Sequence, residues 1–403
     1  MLFVGAGLLL GPAALGVLEV ELGDESLKLL TELTLAMLLF SDASRIDIVA
    51  LREEIKLPAR LLGIGLPITI AMGTVITSLL LTDLSLAEAA LVAAILAPTD
   101  AALGQAVVSD KRVPVRIRQT LNVESGLNDG LVVPVIAVLL AVSLGDEIES
   151  GASLLGEAAT EVGLGVLVGV AVGSTLGVVA GRAHRSGFAD SESLRLVIAG
   201  GAIGTFALAS VIGGNGFIAA FVCGLALGTF RRERLAHHGD FAEDLGQLGA
   251  SASFVLFGAL LAWPALEVLT VAVAVCGLLT LTLGRMIPVA ISLTGSGLRA
   301  PTVAFLGWFG PRGLASMLFG LLIVVEKGEA AGQLQSIVSF VVLCSVVLHG
   351  LSAAPGAARY AAWFNANKDQ TMEEANHATE HRIRWRPHLP HLPRHERSGD
   401  NAG

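Results

Sequence analysis

Ala97-Pro98-Thr99-Asp100 and, further on, Glu124-Ser125-Gly126-Leu127-Asn128-Asp129 are two polar clusters, each set in an apolar run long enough to cross a bilayer. A carboxylate at such a depth costs roughly 2.5 to 3.5 kcal/mol on insertion scales and rarely persists without a role. The rest of the chain supports that setting. Of 403 residues, 53% are hydrophobic and only 15% charged, with a mean hydropathy of +0.72, so no ordinary water-facing surface can be assembled from it. The chain reads as a polytopic membrane protein in a lipid bilayer.

About twelve apolar windows of near twenty residues follow one another, centred near Leu10, Leu35, Pro67, Leu96, Pro134, Val166, Gly204, Val222, Val255, Cys276, Arg312 and Val342. Barrel strands would be half as long and would alternate with a period of two, which these runs do not, so the fold class is all-α. The 47 glycines, interleaved with alanines, suit helices whose backbones approach closely. Four Trp and one Tyr make only a weak interfacial belt. Cys223, Cys276 and Cys344 all fall in apolar stretches, as buried thiols do, and their odd number argues against a disulfide framework.

Lys and Arg concentrate in alternate loops. One set holds Arg45, Arg52, Lys56 and Arg60, then Lys111, Arg112, Arg116 and Arg118, then Arg182, Arg185 and Arg195, then Arg231, Arg232 and Arg234. The other is acidic or neutral, with Glu19, Glu21, Asp24 and Glu25, then Asp83, then Asp146, Glu147 and Glu149, then Gly213-Gly214-Asn215. The basic set is expected on the cytoplasmic side, which gives a multi-pass protein with a cytoplasmic C-terminus. The net charge of −9 is spread over loops of both signs, and no nucleic-acid-binding face is present in the sequence. Met1 leads directly into Leu2-Phe3-Val4-Gly5, so the chain starts inside a helix; either translation begins here or an upstream span is missing. Beyond the last span the tail is polar, and His377 to Arg397 mixes Arg, His and Pro. Such a tract suits metal binding or a disordered tail near acidic headgroups, and the second is the expectation.

Pro98 removes a helix hydrogen bond and crowds the preceding turn, so the fourth span should unwind near Thr99 and Asp100, freeing carbonyls as ligands. Proline kinks are common in membrane helices, but Asp100 directly after this one points to a site. In the fifth span, Glu124 with Asn128 and Ser125 with Asp129 lie one turn apart on adjoining faces. Oxygen ligands suit a hard monovalent cation, and a carboxylate that also takes a proton makes the two compete for one position. A buried Glu124 needs a partner. Two candidates are Arg285, in Leu283-Gly284-Arg285-Met286-Ile287-Pro288, and Arg312, in Gly310-Pro311-Arg312-Gly313. The second motif predicts another helix break, and two interrupted helices in distant halves of the chain point to inverted repeats around a central site. Asp42 sits near the cytoplasmic end of the second span, where it either lines an inner funnel or snorkels to the interface. His349 reads as a satisfied histidine at the end of the last span.

With these motifs in this order, the chain resembles a sodium/proton exchanger of the cation:proton antiporter family, over residues 1 to about 358. Asn128 before Asp129 resembles the electroneutral branch, which exchanges one cation for one proton. The resemblance implies that Asp129 carries ion and proton, that Asp100 and the Thr99 carbonyl assist, and that Ser125 and Asn128 complete or brace the site. A transported Na+ would then lie at Asp129, Asp100, Thr99 and Ser125, with no resident cofactor. It further implies that Glu124 pairs with Arg285, and that Pro98 and Arg312 support the two breaks. Such proteins have thirteen spans in two six-helix inverted repeats with a linking helix, and form homodimers. This sequence lacks the first of those spans, so its fourth and eleventh correspond to their fifth and twelfth. The implied division is a transmembrane antiporter domain at 1–358 and a cytoplasmic tail at 359–403. Within the domain, the core lies near 57–143 and 265–357, and the dimerisation scaffold near 1–56 and 193–263.

The expected function is secondary transport at the cell membrane, with Na+, Li+ or K+ exchanged for protons by alternating access. The rival reading is an intramembrane aspartyl protease using Asp100 and Asp129 as a dyad. Neither residue has the Gly-x-Gly-Asp context of such enzymes, and an ion site accounts better for Asn128 and the two arginines. A channel would need continuous polar faces along its helices, which the sequence lacks.

Overall fold

The structure is a computed structural model. It describes residues 2–18, 25–44, 46, 55–100, 103–143, 151–230, 240–267, 269–327 and 332–367. Most of the tail, Arg45 and Arg52, the 231–234 arginines, and the acidic residues at 19–24 and 146–149 lie outside these.

The described residues form helices joined by turns and short irregular segments, with no strand. In chain order the helices are α1 Leu2–Leu10, α2 Glu25–Ser44, α3 Lys56–Leu80, α4 Leu86–Ile95, α5 Gln105–Val108, α6 Val115–Ser143, α7 Gly151–Arg185 and α8 Ser191–Val211. They continue with α9 Gly216–Phe230, α10 Asp240–Leu260, α11 Ala262–Glu267, α12 Val271–Ser292, α13 Ala300–Trp308, α14 Leu314–Lys327 and α15 Gly332–Ala366. Pairing α4 with α5 and α13 with α14 as interrupted spans, and placing the short α11 in a connection, leaves twelve passes among the described residues. Six helices are individually long and apolar enough to cross a membrane: α3, α6, most of α7, α8, α12 and α15. The first window was centred on Leu10, which instead ends α1. The last helix runs to Ala366, eight residues past the expected boundary of the tail.

Two local departures from regular helix lie beside the breaks. In α3, Pro67 lacks the N–H that would close its turn, and the backbone widens into a π-turn over Leu61–Gly65, with the Leu66 N–H reaching back to the Leu61 carbonyl. In α12, Thr282 leaves helical geometry (φ −103°, ψ −86°), so Arg285 stands in the first turn of a new segment. These two helices pack on each other, and Gly65 lets α3 approach Ser292 of α12. The halves therefore repeat one order: a locally distorted helix, an interrupted helix, and a long helix. In the first half these are α3, α4/α5 and α6; in the second, α12, α13/α14 and α15.

Packing divides the helices into two groups. One contains α3 to α6 and α12 to α15. The other contains α1, α2 and α7 to α10, with α7 lying along α9 and α1 along α10. The α7–α9 contact depends on Gly165, Gly169 and Gly173, one turn apart. A Cβ built on them would stand 2.7, 2.6 and 2.5 Å from the carbonyls of Asn215, Ala219 and Cys223. Small residues of this kind let helices associate in lipid, where no hydrophobic force draws them together. Gly163, on the same helix, has nothing within 4 Å of a built Cβ. Gly169→Leu should therefore cost about 1–3 kcal/mol or more through overpacking, while Gly163→Leu is tolerated. Thermal unfolding of the two variants in detergent checks this, with a lowered midpoint expected for Gly169→Leu alone.

Candidate ion site

The two interrupted helices meet backbone to backbone. Helix α4 stops at Ile95, and 96–100 are non-helical; α13 stops at Trp308, and 309–313 are non-helical. Across this crossing the Asp100 N–H donates to the Pro311 carbonyl at 2.8 Å. The Asp100 carboxylate in turn accepts from the Leu314 N–H at 2.9 Å, at the N-terminus of α14, where helix polarity favours an anion. The Gly-Pro-Arg-Gly motif acquires a steric explanation. A Cβ on Gly313 would overlap the Asp100 carboxylate, and one on Gly310 would stand 2.6 Å from Arg285 Nε and 3.0 Å from Thr99 Cγ2. Only glycine at both positions lets the second break close on the first.

Helix α6 presents its polar stripe to this crossing. Glu124 and Arg285 form a bidentate pair, Nη1 to Oε1 at 2.6 Å and Nη2 to Oε2 at 2.8 Å, with both side chains 3% exposed. Hydroxyl and amide groups meet one turn away: Thr99 Oγ1 is 3.0 Å from Ser125 Oγ and accepts from Asn128 Nδ2 at 2.8 Å. Asn128 is 1% exposed, and its Oδ1 has no hydrogen-bond partner among the described residues. A buried acceptor left in that condition is costly unless a cation or water completes it. Asp129 is partly exposed, on the same helix. It is flanked by Gly126, which faces the Asp42 carbonyl on α2, and by Gly130, which packs directly against the Phe221 ring on α9. Asp129 thus lies where α6 meets the other helical group.

Arg312 is fully buried, donating its backbone N–H to Ser345 Oγ (2.6 Å) and Nη1 to the Gly310 carbonyl (2.6 Å). It lies within electrostatic reach of both Glu124 and Arg285. The structure therefore gathers Thr99, Asp100, Glu124, Ser125, Asn128, Arg285 and Arg312 at one crossing, with Pro98 in the unwound stretch of the first break. Asp42 lies at the seam with α6, two residues from the end of the helix. Three features escaped the sequence reading. Arg118 was grouped with loop charges, but it is buried, bonding the Val113 carbonyl (3.0 Å) and the Val108 carbonyl at the end of α5 (3.4 Å). Gly284 and Pro288 around Arg285 were the available signal for the Thr282 kink. His349, read as a helix-end residue, stands mid-way along α15. Among the described residues no group of three or more His, Cys, Asp or Glu forms a metal cluster.

Arg285→Gln would strand Glu124 as a buried, unpaired charge and should destabilise the protein by about 3–5 kcal/mol. Adding Glu124→Gln to the same chain should recover much of the loss, as unfolding midpoints of the single and double variants will show.

Comparison with known proteins bears on the family and the fold. Residues 1–358 match the family model described as sodium/hydrogen exchanger, transmembrane. The K+/H+ antiporter NhaP2 of Shewanella baltica is 26% identical over 362 residues, which cover 89% of this chain and 61% of that protein. The low-affinity Na+/H+ antiporter NhaS1 of Synechocystis is 30% identical over 226 residues, 54% of this chain and 40% of that protein. The chain thus spans about three-fifths or less of the length of these relatives. The sodium proton antiporter MjNhaP1 of Methanocaldococcus jannaschii superposes with a TM-score of 0.77 at 23% identity, over 89% of this chain and 92% of that one, a likeness of fold. From the family match over most of its length, the chain belongs to the transmembrane sodium/hydrogen exchanger family.

Proposed function

We propose that the protein exchanges a monovalent cation for a proton across the membrane, with Asp129 as the group that alternates between them. The observation that carries this reading is the set of oxygens at the crossing: the Thr99 hydroxyl and Asp100 carboxylate from the first unwound segment, and the Ser125 hydroxyl and buried Asn128 Oδ1 from α6. Oxygen donors alone suit a hard cation, here the substrate. Sodium and potassium both agree with the names of the relatives.

The charges at the crossing favour one-for-one exchange. Arg285 and Arg312 stand against Glu124, Asp100 and Asp129, so one cation or one proton brings the set to neutrality. In either loaded state it can move without carrying net charge through the bilayer, whereas the empty state is charged and is held back. That difference is what couples the two fluxes in alternating access. The seam at Gly126 and Gly130 offers a face with little side-chain bulk, along which the group containing α6 can shift against α2 and α9. The cytoplasmic placement of the C-terminus and assembly as a homodimer through the α1, α2 and α8–α10 group are part of the same proposal. The protease reading loses ground because Asp100 Oδ2 is already engaged by the Leu314 N–H, within the crossing.

In everted vesicles, sodium, lithium or potassium should each be tried for dissipation of an imposed pH gradient. The active cation should lose its effect in Asp129→Ala, and unchanged dissipation in that variant would remove Asp129 from the mechanism. In proteoliposomes the flux should be insensitive to an imposed membrane potential; a steep dependence would contradict the charge count.

A further inference from the structure

The site above does not explain what holds the second unwound segment. The Phe309 N–H still reaches the Phe305 carbonyl and the Gly313 carbonyl opens α14, but between them residues 310–312 make no α-helical hydrogen bond, in a buried crossing where water cannot replace it. The Trp308 carbonyl at the end of α13, which also accepts from the Gly310 N–H at 2.9 Å, and the Arg312 N–H both converge on α15. Arg312 N–H donates to Ser345 Oγ at 2.6 Å. Ser345 Oγ lies 3.1 Å from His349 Nδ1, and His349 Nε2 lies 3.1 Å from the Trp308 carbonyl. Ser345, His349 and Arg312 are at most 1% exposed.

Donor and acceptor chemistry orders this chain. A carbonyl only accepts, so Nε2 must carry a proton to reach Trp308. Nδ1 lies 3.1 Å from both the hydroxyl and the carbonyl of Ser345; with the proton on Nε2 it is the hydroxyl that Nδ1 accepts from, which turns the Ser345 lone pairs towards the Arg312 N–H. The Trp308 indole, whose ring lies 5.4 Å from the imidazole, donates to Ser352 one turn further along α15 and fixes the end of α13 from its other side.

We propose that His349 is a positioning residue for ion exchange: one imidazole ties both ends of the unwound 309–313 segment to α15 and so sets where Pro311 and Leu314 meet Asp100. Its effect on transport rests on the proposed function; its effect on the segment does not. The imidazole touches neither cation nor titrating carboxylate, and acts through Ser345 and the Trp308 carbonyl. A neutral side chain with one donor and one acceptor at similar reach should replace it, and an apolar one of similar size should not.

The test combines amide hydrogen exchange with transport, in wild type, His349→Leu, His349→Gln and Ser345→Ala. Losing one or two buried hydrogen bonds should speed exchange across 309–314 by about tenfold in His349→Leu. Exchange in α2 should be unchanged, and the apparent KM for the transported cation should rise several-fold. His349→Gln should restore both, and Ser345→Ala, the smaller change, should loosen the same segment if His349→Leu does not fold. Wild-type exchange in both His349→Leu and Ser345→Ala would overturn the proposal. So would folded His349→Gln performing as badly as His349→Leu, since that would mark a role in packing alone. A wild-type protein that moves none of the three cations would defeat the functional reading, while the exchange data would still decide the role of His349.

Discussion

The architecture depends on a single backbone contact between two interrupted helices, the hydrogen bond from the Asp100 N–H to the Pro311 carbonyl. Unwound backbone inside a bilayer is tolerated only when its polar groups are satisfied by protein, and here each break satisfies part of the other. Asp100 strengthens the arrangement by accepting from the first amide of α14. Gly310 and Gly313 make it sterically feasible, and Ser345 and His349 complete the polar groups on the far side. The candidate site therefore sits at the fold's most exacting constraint, with the Thr99 and Ser125 hydroxyls and the Asn128 Oδ1 beside the crossing.

Charge follows the same economy. Glu124 and Arg285 neutralise each other in a buried, bidentate pair, which orients α6 against α12. Asp129 stands four residues beyond Ser125, partly exposed, where α6 meets the other helical group. A titrating group needs access to water on one side or the other, and a strut does not. Their unequal burial supports the roles proposed for them.

Much of the fold was legible because membrane constraints are written locally. Apolar length gives the passes, Pro98 gives the first break, and Gly-Pro-Arg-Gly gives the second. The polar stripe of α6 followed from helical spacing alone. What could not be read were contacts across space. Arg285 and Arg312 were equivalent candidates for Glu124 on the residues themselves, and only the resemblance to a known family chose between them. The steric reason for Gly313 lies in Asp100, more than two hundred positions away. Arg118 was misassigned because a basic residue at a helix start reads as a loop charge, whereas here it bonds the end of the short helix after the first break. His349 was misplaced because α15 extends well past its apolar stretch.

The central claim is that cation and proton compete for one position at this crossing. Proton release on cation binding tests it most directly, using purified protein in weakly buffered detergent solution near the pH where the site is half protonated. The account predicts that the cation active in transport releases about one proton for each ion bound at sites that were protonated, and that Asp129→Asn releases none. Saturable cation binding by the wild-type protein with no proton release at any pH would contradict it.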